Sequence, residues 1–84
     1  MGVYIGTMKS ILALCSEYSD NVWYSEFDTN SVPTRIAIEI GRRYRFAFLK
    51  LMAKYGYTLH STRRGDSETT IITLERVGNT VLAN

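Results

Sequence analysis

Cationic side chains are concentrated in the middle of this 84-residue chain. Residues 35–64 have eight of them against one acidic residue, Glu39, which gives a formal charge of +7. The flanking stretches, residues 1–34 and 65–84, carry −3 and −2. Such a cluster is typical of a surface that binds a polyanion, and a solvated charged face has the same composition. The eight cations are Arg35, Arg42, Arg43, Arg45, Lys50, Lys54, Arg63 and Arg64.

The sequence contains no enzyme motif. His60 is the one histidine and Cys15 the one cysteine, which is too few for a structural zinc site. Ser61 beside His60 does not make a triad, and the isolated Gly41 does not make a phosphate-binding loop. The sequence therefore predicts a protein that is not an enzyme and holds no metal or cofactor. Cys15 is predicted to be a small core residue.

The tripeptide Arg64-Gly65-Asp66 could be an adhesion signal only in a secreted protein. A small secreted domain usually carries several disulfides, which a single cysteine cannot provide. The apolar stretch from Ile11 to Cys15 is also too short to cross a membrane. We therefore expect an intracellular protein without membrane contact, in which this tripeptide is a turn.

The length predicts one domain, residues 1–84, with a modest core and room for a binding surface. A first helix is expected over Met8–Tyr18 with Thr7 as its N-cap, followed by a strand over Val22–Asp28. Trp23 in that strand is expected to pack between sheet and helix. The stretch RRYRFAFLKLMAKYGY predicts a longer helix that ends at Gly56.

A β-hairpin is predicted over Tyr57–Thr62 and Thr69–Val77, with Tyr57, Leu59, Ile72 and Leu74 pointing inward. Its turn contains Gly65, for which we expect a positive φ.

Residues 34–40, TRIAIEI, are ambiguous. Ile36, Ile38 and Ile40 alternate as in a strand, yet Ile36 and Ile40 also fit one stripe of a helix. Pro33 would suit the entry to a helix. If the segment is a strand, the order becomes α-β-β-α-β-β.

The stretch IAIEIGRRYRFAFLKLMAKYGYTL followed by HSTRRGDSETTIITLERV resembles a winged helix-turn-helix domain. Leu49, Met52 and Gly56 follow Gly41 by eight, eleven and fifteen positions, which is similar to the gamma domain of bacterial DNA translocases. The resemblance implies an α+β fold of three helices, a short strand before helix 2 and a C-terminal β-hairpin wing. The helix-turn-helix would span residues 34–56 and the wing residues 57–77.

The resemblance also implies duplex DNA binding, as in a small transcriptional regulator, and the compactness suggests a viral or mobile-element protein. Arg42, Arg43 and Phe46 would face base edges in the major groove, where arginine pairs with guanine. Lys50 and Lys54 would meet phosphates. Arg63 and Arg64 would reach the minor groove or backbone from the wing.

Other interpretations remain open. A small protein-interaction module or inhibitor would use the basic and aromatic face against an acidic protein partner. Binding of single-stranded nucleic acid ranks last, because most aromatic residues are expected to be buried. Phe46 could also pack under the first helix, and Arg43 could pair with Glu39. A homodimer, the DNA sequence bound and the regulatory direction are left open by the sequence.

Overall fold

The computed structural model describes residues 2–76, and the side chains of residues 8–76. The elements are helix α1 (Gly2–Tyr18), strands β1 (Val22–Phe27) and β2 (Pro33–Gly41), helix α2 (Arg45–Ala53), and strands β3 (Tyr57–Arg64) and β4 (Thr69–Arg76). A 3-10 turn, Arg42–Tyr44, leads into α2. The predicted C-terminal residue of the wing, Val77, lies outside the described residues, as do residues 78–84.

The strands form one antiparallel sheet in the order β1-β2-β4-β3, so β1 and β3 are its edges. Both helices lie on one face, α1 against β2 and α2 against β3. The other face, here called the open face, is not covered by any element that the structure describes.

The fold is not a winged helix-turn-helix, which corrects the sequence expectation. Residues 34–40 belong to β2 and not to a second helix, so the helix-turn-helix of residues 34–56 does not exist. Ile36, Ile38 and Ile40 are all buried at alternate positions. A helix would turn Ile38 about 200° away from Ile36, whereas a strand points all three to one face. Pro33 starts this strand and is not at a helix entry.

The register of β2 with its two neighbours explains why residues 34–40 are more stable as a strand than as a helix. Ile36 lies between Tyr24 of β1 and Leu74 of β4, and Ile38 lies between Val22 and Ile72. Such cross-strand contacts between β-branched and aromatic side chains stabilise sheets. The core adds Ile11 and Cys15 from α1, Phe48 and Met52 from α2, and Tyr57 from β3.

Several other expectations are confirmed. α1 ends at Tyr18 as predicted, although it starts at Gly2, which places Thr7 inside the helix. α2 covers only Arg45–Ala53 and is shorter than the predicted helix, and Gly56 ends the turn that follows it with φ 88°, a conformation that glycine adopts readily. The hairpin of β3 and β4 is present, with Arg64-Gly65-Asp66 at its turn. Of its predicted inward residues Tyr57, Ile72 and Leu74 are buried, but Leu59 is 47% exposed because it lies on an edge strand.

Asp28 organises the turn between β1 and β2. Its Oδ1 accepts hydrogen bonds from the N–H groups of Asn30 (2.7 Å) and Val32 (3.0 Å), and its other oxygen accepts one from the Arg76 guanidinium. Asp28 therefore connects the β1–β2 turn to the end of β4.

Candidate polyanion-binding surface

The exposed side of α2, together with the residues that flank its two ends, carries a row of cations. Arg43, Phe46, Lys50 and Lys54 are all exposed, and their spacing of three to four residues, or multiples of it, puts them on one side of the helix. The opposite side contributes Phe48 and Met52 to the core. Phe46 is 72% exposed, so it does not pack under α1.

The start of this row meets the β3–β4 turn. The N–H of Arg42 donates to the carbonyl oxygen of Glu68 at 3.0 Å, and its guanidinium donates to the carbonyl oxygen of Ser67. Arg42 and Arg64 line an open pocket of about 490 Å³ together with Gly65, Asp66 and Ser67. The structure thus brings Arg42 and Arg64 together, although they are far apart in sequence.

We use the name cationic surface for the exposed side chains Arg42, Arg43, Phe46, Lys50, Lys54 and Arg64. Among residues 8–76, the ion pairs within 4.0 Å involve only Arg35, His60 and Arg76 as cations. The cations of the cationic surface therefore form no ion pair within 4.0 Å in the described part of the chain, although Asp66 lies near Arg42. Glu39, which could have paired with Arg43 on a helix, lies on β2 and accepts a hydrogen bond from Thr69 at 2.7 Å.

Arg43 of the cationic surface and the adjacent Arg45 lie over aromatic rings. Arg45 is 4.7 Å from the ring centroid of Phe46, and Arg43 is 5.7 Å from that of Tyr44. Cation–π contacts hold a guanidinium in place without neutralising its charge. Phe46 and Tyr44 thus fix the positions of these charges at the start of α2.

Asp66 is the acidic residue of the pocket beside Arg42. Hydrogen bonds from the N–H of Glu68 and the hydroxyl of Thr69 hold the pKa of Asp66 below its usual range, with a smaller contribution from Arg42. Asp66 is therefore ionised and reduces the positive potential at the turn, while Lys50 and Lys54 lie along the helix away from it.

The side chains of Arg63 and Arg64, just before the turn, lie on opposite faces of the sheet. Arg64 pairs in register with Thr70, on the face covered by helices, whereas Arg63 pairs with Ile71 on the open face. Since direct cross-strand partners share a face, only Arg64 belongs to the cationic surface.

The open face was missed by the sequence interpretation. Trp23 is 54% exposed there, beside Ala37 of β2, and does not pack between sheet and helix. Arg35 on the same side pairs with Glu26 at 3.5 Å and with Glu75 at 3.2 Å. The alternation of Val22, Trp23 and Tyr24 is the signal that could have placed Trp23 outward, because Val22 and Tyr24 pack on the core.

The remaining reactive groups are in the core. Burial raises the pKa of Cys15 to about 11, against a hydrogen bond from Tyr24 that lowers it. A buried, protonated thiol is a poor nucleophile. No group of three metal-ligating side chains occurs in the part of the chain that the structure describes. No helix within residues 2–76 is long and apolar enough to cross a membrane.

Comparison with known proteins gives no family to which these features can be referred: no family model, curated protein or solved structure matches this chain.

Proposed function

We propose that this protein binds duplex DNA through contacts between its cationic surface and the sugar-phosphate backbone. The observation that carries the proposal is the row of exposed cations on α2 and at its two ends, continued by Arg42 and Arg64, none of which forms an ion pair within 4.0 Å with a described side chain. Lysine and arginine side chains that neutralise phosphates release counterions, which supplies most of the affinity of such binding.

The arrangement favours a duplex over a single strand. Single-strand binding needs several aromatic side chains on which successive bases stack, next to a basic groove. The exposed aromatic side chains at the cationic surface are Phe46 and its neighbour Tyr44, and an arginine already lies over each ring, Arg45 over Phe46 and Arg43 over Tyr44. Trp23 lies on the open face, away from the cations of α2.

The helix-turn-helix mode of reading bases is not part of this proposal, because the fold lacks that motif. The α2 helix spans nine residues and presents its outer side to solvent. Arg43 near its start is the side chain best placed for a base edge, while Lys50 and Lys54 reach for phosphates. The proposed affinity comes mainly from backbone contacts.

The test is binding to random-sequence duplex DNA as a function of salt. Each phosphate contact that is lost should lower the slope of log affinity against log salt by roughly 0.9. We expect Lys50→Ala/Lys54→Ala to lower the slope by nearly two such steps. Arg64→Ala should lower it by one, and Arg63→Ala, its neighbour on the opposite face, is the matched control and should not change it.

Absence of binding by the wild-type protein at low salt would disprove the proposal. Equal effects of Arg63→Ala and Arg64→Ala would mean that the cationic surface as defined does not hold the DNA.

A second candidate is binding of an acidic protein, which the exposure of Phe46 amid cations favours. Aromatic residues in the centre of an interface often dominate its binding energy. Under this alternative Phe46→Ala should abolish binding, whereas under DNA binding through phosphates it should leave the salt slope unchanged.

A further inference from the structure

The outer edge of β1 has unpaired backbone groups. The carbonyl oxygen of Asn21 accepts from the N–H of Glu39 at 3.0 Å, and this pairing places the backbone groups of Asn21, Trp23 and Ser25 toward β2. Because backbone direction alternates along an antiparallel strand, the N–H and C=O groups of Val22 and Tyr24 point outward. No described element pairs with them.

The two edges of the sheet differ in their protection. β3 is interrupted by a bulge between Leu59 and Ser61 and carries His60, Arg63 and Arg64. Charges and bulges are the features that prevent edge strands from pairing with other chains. β1 has no charged residue from Val22 to Ser25 and carries the half-exposed Trp23.

We propose that β1 pairs with β1 of a second copy in an antiparallel, two-fold symmetric dimer with a continuous eight-stranded sheet. Val22 and the partner's Tyr24 would exchange both backbone hydrogen bonds, and so would Tyr24 and the partner's Val22. Trp23 then lies directly opposite the partner's Trp23 on the open face. This inference does not depend on the proposed function.

A second copy of this chain is the partner that fits the outer edge of β1, because β1 can pair with itself. A two-fold axis perpendicular to a sheet keeps each side chain on its own face, so the partly buried Val22 and Tyr24 side chains remain on the helix side and the two indoles meet on the other. Glu26, whose φ of 56° interrupts the extended backbone, lies beyond the hydrogen-bonded segment. Its carboxylate forms an ion pair with Arg35 of its own chain at 3.5 Å, and the segment that pairs, Val22 to Tyr24, carries no charge.

The first measurement is the molar mass of the full-length protein by sedimentation equilibrium, from low micromolar to near-millimolar concentration. We expect twice the chain mass of 9.6 kDa at the upper end. Trp23→Lys places two like charges opposite each other and should give the monomer mass. Leu59→Lys makes the same change at a half-exposed residue of the other edge and should still dimerise.

Disulfide cross-linking tests the proposed register without introducing a charge. Opposite residues in a non-hydrogen-bonded antiparallel pair have Cα atoms about 4.5 Å apart, which is within the range that a disulfide spans. Trp23→Cys should therefore form a covalent dimer under mild oxidation, and Leu59→Cys should not. A wild-type protein that stays monomeric, or a Trp23→Lys variant that still dimerises, would overturn the proposal and leave the edge for a strand of another protein.

Discussion

Asp28 and Arg76 form the most buried ion pair among the described residues. The Arg76 side chain is only 4% exposed, and its Nε and Nη1 atoms have no hydrogen-bond partner among the described residues. Its contact with Asp28 is thus the main compensation for burying a charge. Breaking such a pair from one side leaves an uncompensated charge in the interior.

We expect Asp28→Asn to lower the free energy of unfolding by about 3 kcal/mol, because asparagine keeps the turn hydrogen bonds but not the charge. Asp28→Ala should cost about 1 kcal/mol more, since the N–H groups of Asn30 and Val32 also lose their acceptor. Urea unfolding measures both, with Asp20→Asn on the exposed surface as the control. An Asp28→Asn variant as stable as the control would show that the pair contributes nothing.

Acid should weaken the fold through the same carboxylate. Burial acts to raise the pKa of Asp28, but hydrogen bonds from Arg76, Val32 and Asn30 outweigh it and hold the pKa below its usual value. A carboxylate with a lowered folded-state pKa stabilises the protein above the unfolded pKa of about 3.9, and this stability is lost as the pH falls through the folded value. Below about pH 4 the free energy of unfolding should therefore fall less steeply with decreasing pH in Asp28→Asn than in the wild-type protein.

Alkaline pH should destabilise the protein through groups in the core. Burial raises the pKa of Tyr57 to about 12, and burial beside Cys15 raises that of Tyr24 further. Groups whose pKa is raised in the folded state stabilise it below their unfolded values, about 8.5 for cysteine and 10 for tyrosine. That stability is lost as the pH rises toward the folded values. Tyrosinate absorbance should show Tyr24 and Tyr57 ionising only with unfolding, and Tyr24→Phe should remove the contribution of Tyr24.

At the level of elements, the β3–β4 turn depends on Gly65 for space. A Cβ atom there would lie 2.2 Å from Oγ1 of Thr69 and 3.1 Å from Oε2 of Glu39. Gly65 does not have the positive φ expected from the sequence; among glycines of residues 2–76 that conformation belongs to Gly56. The Thr69 hydroxyl accepts from the N–H of Asp66 at 2.8 Å, so moving it disturbs the whole turn.

Gly65→Ala should therefore lower the free energy of unfolding by about 1–3 kcal/mol, as other overpacked sites do. Gly41→Ala is the control: its Cβ would meet only the ring of Tyr44, at 3.2 Å, and that exposed ring can move. Urea unfolding of both variants tests this, and equal losses would mean that the close contact with Thr69 is not what constrains the turn.

Local patterns predicted most elements but not how they assemble. The hairpin and the end of α2 were predictable because turn residues and alternation act within a few positions. Residues 34–40 were not, since Ile36 and Ile40 fit both periods. The strand conformation of residues 34–40 is stabilised by the contacts of β2 with β1 and β4 on either side, which local sequence does not reveal. The row of cations on α2 follows from helical spacing alone, whereas the proximity of Arg42 and Arg64 depends on the sheet order.

At the level of the whole molecule, the two proposed interfaces lie at opposite edges of the sheet. β1 is three strand steps from β3, against which α2 packs. In the proposed dimer the two β3 strands would be seven steps apart, about 34 Å at 4.7–4.9 Å per step. A twist of roughly 20–25° per step would turn the two α2 helices about 140–175° relative to each other. The two cationic surfaces would then face nearly opposite directions.

We therefore expect the dimer to connect two separate duplexes and not to occupy two half-sites on one duplex. Capture of a fluorescent duplex by an immobilised one should require wild-type protein and should persist with Leu59→Lys. Trp23→Lys should lose capture while keeping the wild-type salt slope for a single duplex, because Trp23 is remote from α2. Capture that survives Trp23→Lys would contradict the β1 interface. A wild-type dimer that binds DNA but captures no second duplex would show that the two cationic surfaces act on the same one.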